Sequence, residues 1–172
     1  MAAQRQSAST RETYGRTLLA MAEDYPDIVV LGGDLNVSVF THLWRDKYQD
    51  RFFDFGPSEQ NLIGVGAGLA ASGRIPFVST FAVFGVGRPF DQLRVLVAQS
   101  HLNLKLVCTH AGILTAEDGM SAQAIEDLAL ACSCRDSPSS ARRTRWRRPR
   151  RCGRRPTMMV RFTSGWPGPP RR

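Results

Sequence analysis

Residues 51–84 read RFFDFGPSEQNLIGVGAGLAASGRIPFVSTFAVF, and the fold is decided here. Arg51–Phe55 is a short strand candidate, closed by Gly56-Pro57. Ser58–Ser72 is rich in small residues and reads as a tightly packed helix. Gly64, Gly66 and Gly68 each cost such a helix about 1 kcal/mol in propensity, so close approach to a neighbour is the reason for them. Ile75–Thr80 is an apolar run that reads as a buried strand. Short apolar strands separated by a helix predict an α/β fold, a mostly parallel sheet with helices on both faces.

The flanking sequence extends the same alternation. On the N-terminal side, Ser9-x-x-Glu12 reads as a capping box. It opens a helix through Tyr14, Leu18, Leu19 and Ala22 that runs to Tyr25 and stops at Pro26. Asp27–Leu31 is a strand with a tight exit at Gly32-Gly33, and Val37–Tyr48 is a further helix. On the C-terminal side, Arg88–Ser100 reads as helix, Asn103–Cys108 as strand and Gln123–Leu130 as the start of a last helix.

In such sheets ligands bind beyond the carboxyl ends of the strands. That rule gathers Asp34, Ser58-Glu59, Thr80-Phe81 and Thr109-His110 on one edge. Each also has a plain reading. Asp34 and Ser58 can cap helices, Glu59 can favour a helix N-terminus, and Phe81 and Phe84 can be core. Gly64-x-Gly66-x-Gly68 has the wrong spacing and context for a dinucleotide fingerprint. Residues 1–130 carry no metal-ligand spacing.

Composition divides the chain in two. Its 172 residues suffice for one domain. The net charge of +8 conceals 10 Lys+Arg against 14 Asp+Glu in residues 1–130, and 13 Arg against the single acid Asp136 in residues 131–172. No apolar run reaches the length of a membrane span, and the first residues lack the apolar core of a secretory signal, so a cytoplasmic protein is expected. The four cysteines do not form a disulfide framework. Residues 1–9 are expected to be disordered, residues 10–130 to form the domain, and residues 131–172 to be a disordered Arg/Pro-rich tail.

The post-strand segments carry a resemblance. GGDLNVS at 32–38, the stretch 51–84, FDQLR at 90–94 and THAGILTAEDGMSAQAIEDLAL at 109–130 resemble the pyrimidine-binding section of transketolase, in that family's order and spacing. The resemblance covers about residues 10–130, and is greatest to split transketolases, whose C-terminal section is a separate polypeptide. It implies the thiamine diphosphate-binding fold and transfer of a two-carbon ketol unit from a ketose phosphate to an aldose phosphate. Glu59 falls on the catalytic glutamate that hydrogen-bonds a pyrimidine nitrogen of thiamine diphosphate. Phe81 and Phe84 match the aromatic wall around that ring, and Asp34 an acid that touches the cofactor across the subunit interface. His110, as a catalytic and substrate-binding group, and Asp118 match positions that hydrogen-bond sugar hydroxyls. Arg11 and Ser38 fall near positions that hold the sugar phosphate. The match departs at Ala122, at Ile113–Ala116 and at Gly87, where the family has a histidine, a glycine-rich approach and a third aromatic. The Gly-Asp-Gly motif that holds diphosphate and Mg2+ is absent, so the resemblance implies an N-terminal section as partner subunit, in a homo- or hetero-oligomer. The related alternative is a deoxyxylulose-phosphate synthase-like enzyme. The unrelated one is a protein that binds nucleic acid through its basic tail.

The tail has a second reading. Take the last base of each codon with the first two of the next. Met158-Met159-Val160 then forces Asp-Gly, Trp166-Pro167 forces Ala, and the codons between permit Pro-Val-Tyr-Val-Arg-Leu. That frame resembles the family's continuation and implies a frameshift near Leu130–Cys132. On this reading the sheet is truncated and keeps an unpaired apolar edge after its Asn103–Cys108 strand.

Overall fold

Ile28–Gly32 (β1) is buried at all five positions, as a strand covered on both faces must be. It lies inside a five-stranded, all-parallel sheet in the computed structural model, which describes residues 9–134 and 161–163. The other strands are Phe52–Asp54 (β2), Ile75–Phe81 (β3), Lys105–Thr109 (β4) and Arg161–Thr163 (β5), in the order β2-β1-β3-β4-β5. Gly32 stands opposite Asp54 and Ser79, and Phe81 opposite Thr109, so β1 and β2 end level and β3 and β4 end level two residues further on.

Helices cover both faces. On one side lie Thr10–Ala20 (α1) and the single turn His42–Arg45 (α2). Tyr14, Leu18 and Trp44 pack there on Ile28, Val30 and Phe77. On the other lie Glu59–Ala71 (α3), Phe90–Gln92 (α4) with the π-helical turns Leu93–Ala98 that continue it, and Asp127–Ser133 (α5). Leu62, Ile63, Leu93, Val97 and Ala131 pack there on Leu31, Val78 and Leu106. Burying each of the larger apolar side chains contributes about 1.5–3 kcal/mol. The Tyr14 hydroxyl meets Ser79 Oγ at 2.7 Å, satisfying two buried polar groups.

Several expectations need correction. Ser9 makes no side-chain cap; Glu12 instead pairs with Arg16 at 2.9 Å. The expected helix Val37–Tyr48 shrinks to α2 because Phe40 takes a left-handed φ of 63°, which a bulky residue adopts only under tertiary constraint. The expected helix Arg88–Ser100 is preceded by an unforeseen π-helical turn, Val83–Gly87. Of the three glycines in α3, only Gly66 is closely approached. A Cβ there would meet Leu104 Cδ1 at 2.8 Å, whereas Gly64 and Gly68 face open space.

The edge of β4 is not left open. β5 pairs with Val107–Thr109, which corrects the expected bare edge, although Lys105 and Leu106 lie outside that pairing. The expected disorder of residues 1–9 and of the tail otherwise falls outside the described residues, apart from Ser9, residues 131–134 and β5. Among the described residues, no helix is long and apolar enough to cross a membrane.

Candidate functional site

The turn after β2 is built around Asp54. Its Oδ1 accepts the backbone N–H of Asp34 at 3.1 Å and of Gly56 at 2.9 Å, and its Oδ2 accepts the Asn36 amide. One carboxylate thus ties together the loops that leave β1 and β2. Asp34 has a left-handed φ of 64° and is exposed. Gly56, with φ 62°, turns the chain so that α3 starts at Glu59. Ser58 precedes that helix, but its hydroxyl donates to Phe55 O at 2.7 Å and caps nothing.

Glu59 is only 3% exposed. Its two carboxylate oxygens accept from Arg88 Nη1 at 3.1 and 3.0 Å. The Arg88 guanidinium lies 4.2 Å from the centroid of the Phe84 ring. Phe84 is nearly parallel to Phe81, at 6.1 Å and 11°, and Phe81 stacks on the His110 imidazole at 3.9 Å. A stepped column of planar groups therefore runs from Glu59 and Arg88 to His110. Beside it opens a cleft of about 720 Å³, lined by Pro57, Ser58, Glu59, Gln60, Asn61 and Arg88.

His110 follows β4 with φ 53°. Arg11 Nη1 lies 3.2 Å from its Nε2, and Thr109 Oγ1 lies 2.7 Å from its Nδ1. A guanidinium only donates, so Nε2 accepts, and Nδ1–H donates to the threonine. Burial, and then the Arg11 cation, lower the pKa of the imidazole; Asp118 opposes them. Arg11 Nη1 also donates to Ser38 O at 3.3 Å. Arg11, Ser38 and His110 are thus brought together, with Asp118 exposed nearby in the 3-10 turn Gly112–Asp118. Asp34 lies on the loop tied to Asp54.

Sequence reading missed Arg88 and Asp54, and placed Thr109 at the edge without its bond to His110. Asp54 carried one signal, its place at the end of a strand; Arg88 read as the first residue of a helix. Among the described residues, no cluster of three His, Cys, Asp or Glu is placed to hold a metal ion.

The family "Transketolase, pyrimidine binding domain" matches residues 6–142. The chain belongs to the transketolase family. A transketolase C-terminal section of Methanocaldococcus jannaschii is 46% identical over 120 residues, which is 70% of this chain and 38% of that protein. Human transketolase is 38% identical over 123 residues, 71% of this chain and 19% of its own length. Among solved structures, a split gene transketolase described as an inactive beta4 tetramer matches with a TM-score of 0.72 and 34% identity, covering 92% of this chain and 52% of that one. The chain therefore spans well under two thirds of the length of the transketolases that it matches.

The donor set suits a planar nitrogen heterocycle. A flat N–H donor already sits on the Phe84 face and bonds the buried carboxylate, in the form of the Arg88 guanidinium. A flat ring could use the same aromatic face, with its ring nitrogen sharing one proton with the same carboxyl group.

Proposed function

We propose that this chain is the C-terminal, pyrimidine-binding section of a two-subunit transketolase. It works in the cytoplasm with a separate N-terminal section, on sugar phosphates. The single observation that carries the reading is the carboxyl group of Glu59, buried at the start of α3 beside the stacked Phe81 and Phe84. Family membership supports dependence on thiamine diphosphate. When bound, that cofactor supplies the carbanion chemistry of ketol transfer. Glu59 holds a ring nitrogen of the pyrimidine and exchanges its proton. Because Glu59 is buried, the hydrogen bond keeps its strength. Phe81 and Phe84 flank the ring, and Asp34 touches the cofactor from its exposed loop. Arg11, Ser38, His110 and Asp118 form the substrate end, where Arg11 offers a cation to a phosphate and the imidazole a hydrogen bond to a hydroxyl. Diphosphate and Mg2+ are held by the N-terminal section.

The test is Glu59→Gln in the chain assembled with its N-terminal section. Ketol transfer is expected to fall by at least ~100-fold, the scale of lost acid–base catalysis. Near-wild-type turnover would reject the assignment.

The frameshift near Leu130–Cys132 belongs to the same proposal. Its support is positional: β5 occupies Arg161–Thr163, and those codons permit Val-Tyr-Val in the other frame. Determining the DNA sequence across codons 128–135 tests it, and an uninterrupted frame through Arg172 in the natural gene would refute it.

A further inference from the structure

The geometry points to Arg88 as a built-in plug of the pyrimidine subsite: its guanidinium occupies the place between Glu59 and Phe84 that the cofactor ring must take. The inference rests on the function proposed above and adds a residue which that reading does not use. Three properties of the ring are reproduced by the side chain. It is planar, it lies over an aromatic face at 4.2 Å, and its N–H bonds the Glu59 carboxyl at 3.0–3.1 Å, where a ring nitrogen would share one proton with it. Ring and guanidinium compete for one carboxylate and one aromatic face.

Exposure shows which partner moves. Glu59 is 3% exposed and fixed at the start of α3, whereas the Arg88 side chain is 52% exposed on a long flexible stem. The backbone of Arg88 is held, because Gln60 Nε2 donates to its carbonyl at 3.3 Å and Pro89 follows. The side chain can therefore leave without the turn unfolding, and the cleft lined by Gln60 and Asn61 gives it room. Stability alone is a weak reason for the pair. A half-exposed guanidinium contributes little, while removing a carboxylate from water is costly. A replaceable partner keeps Glu59 satisfied until the ring arrives.

Two measurements test this on the chain assembled with its N-terminal section. The first is the affinity for thiamine diphosphate with Mg2+, by calorimetry. A plug lowers apparent affinity by the fraction of sites it leaves open, so Arg88→Met should tighten binding by about threefold to tenfold. Unchanged or weaker binding by a variant with wild-type melting temperature would overturn the plug. The second needs no substitution at Arg88. Nitrogen NMR of the free wild-type chain should show slowed exchange of the Arg88 guanidinium protons, abolished by Glu59→Gln. Adding cofactor and N-terminal section should release those protons to fast exchange. Slow exchange that persists with cofactor bound overturns the plug and leaves the functional reading standing. No cofactor binding by the wild-type assembly overturns both.

Discussion

His110 sits between an aromatic face and a cation, and this placement makes the fold sensitive to mild acid. Its pKa in the folded chain lies below the ordinary 6.5, first through burial and then through Arg11. Below that ordinary value the unfolded chain takes up a proton that the folded chain resists. The contribution to stability is therefore present above about pH 6.5 and is lost as pH falls through it toward the folded value. Thermal melts between about pH 7.5 and 5.5 should show falling stability in the wild type and a flatter profile in His110→Gln. Arg11→Met should raise the imidazole pKa, read by NMR. Equal slopes in wild type and His110→Gln would remove His110 as the cause. The placement of Glu59, Phe81 and His110 at the carboxyl ends of strands was legible beforehand from the alternation of strand and helix. Arg88 was not legible. Its neighbours in space, Glu59 and Phe84, meet it only after α3 and the Val83–Gly87 turn fold together.

At the scale of elements, α3 shows what a pattern discloses and what it hides. Three glycines at alternate positions announce tight packing. Two residues advance a helix by about 200°, so alternate positions point to opposite sides. Gly66 alone faces the sheet, against Val78 and Leu104, while Gly64 and Gly68 share the other side. Gly64→Ala and Gly68→Ala should therefore each stabilise the chain by up to about 1 kcal/mol through helix propensity. Gly66→Val should cost about 1–3 kcal/mol through overpacking. Denaturant titration of the three variants checks the contrast, and equal effects would contradict the facing. The second helix was misjudged for a related reason. Val37–Tyr48 has helical composition, yet Thr41 Oγ1 donates to Asn36 Oδ1 at 3.2 Å and Asn36 is drawn to Asp54. These side-chain bonds turn the backbone at Phe40, and no local propensity reports them.

For the whole molecule, all four post-strand segments meet at one rim, and topology made that legible from the alternation of strand and helix. The rim carries the stacked Phe81 and Phe84 rings but no diphosphate motif. The isolated chain should show no calorimetric binding of thiamine diphosphate with Mg2+, and binding should appear once the N-terminal section is added. Tight binding by this chain alone would contradict the division of labour. The far side of the sheet was less legible, since a strand of three residues leaves no periodicity to read. β5 pairs with only Val107–Thr109, and so short a partner frays, so amide exchange in β4 should be readily measurable. Expressing the chain in the other frame should slow it and raise soluble yield; identical exchange and yield in both versions would argue that the tail needs no repair. What β4 offers its neighbour is a row of main-chain donors and acceptors, the same whichever residues answer it. A slip of reading frame rewrites every side chain and leaves that row's counterpart intact. On the frameshift proposed above, the rim of a parallel sheet would take in an out-of-frame strand by its backbone alone, and such a slip would spoil the chemistry of the edge before it spoiled the architecture.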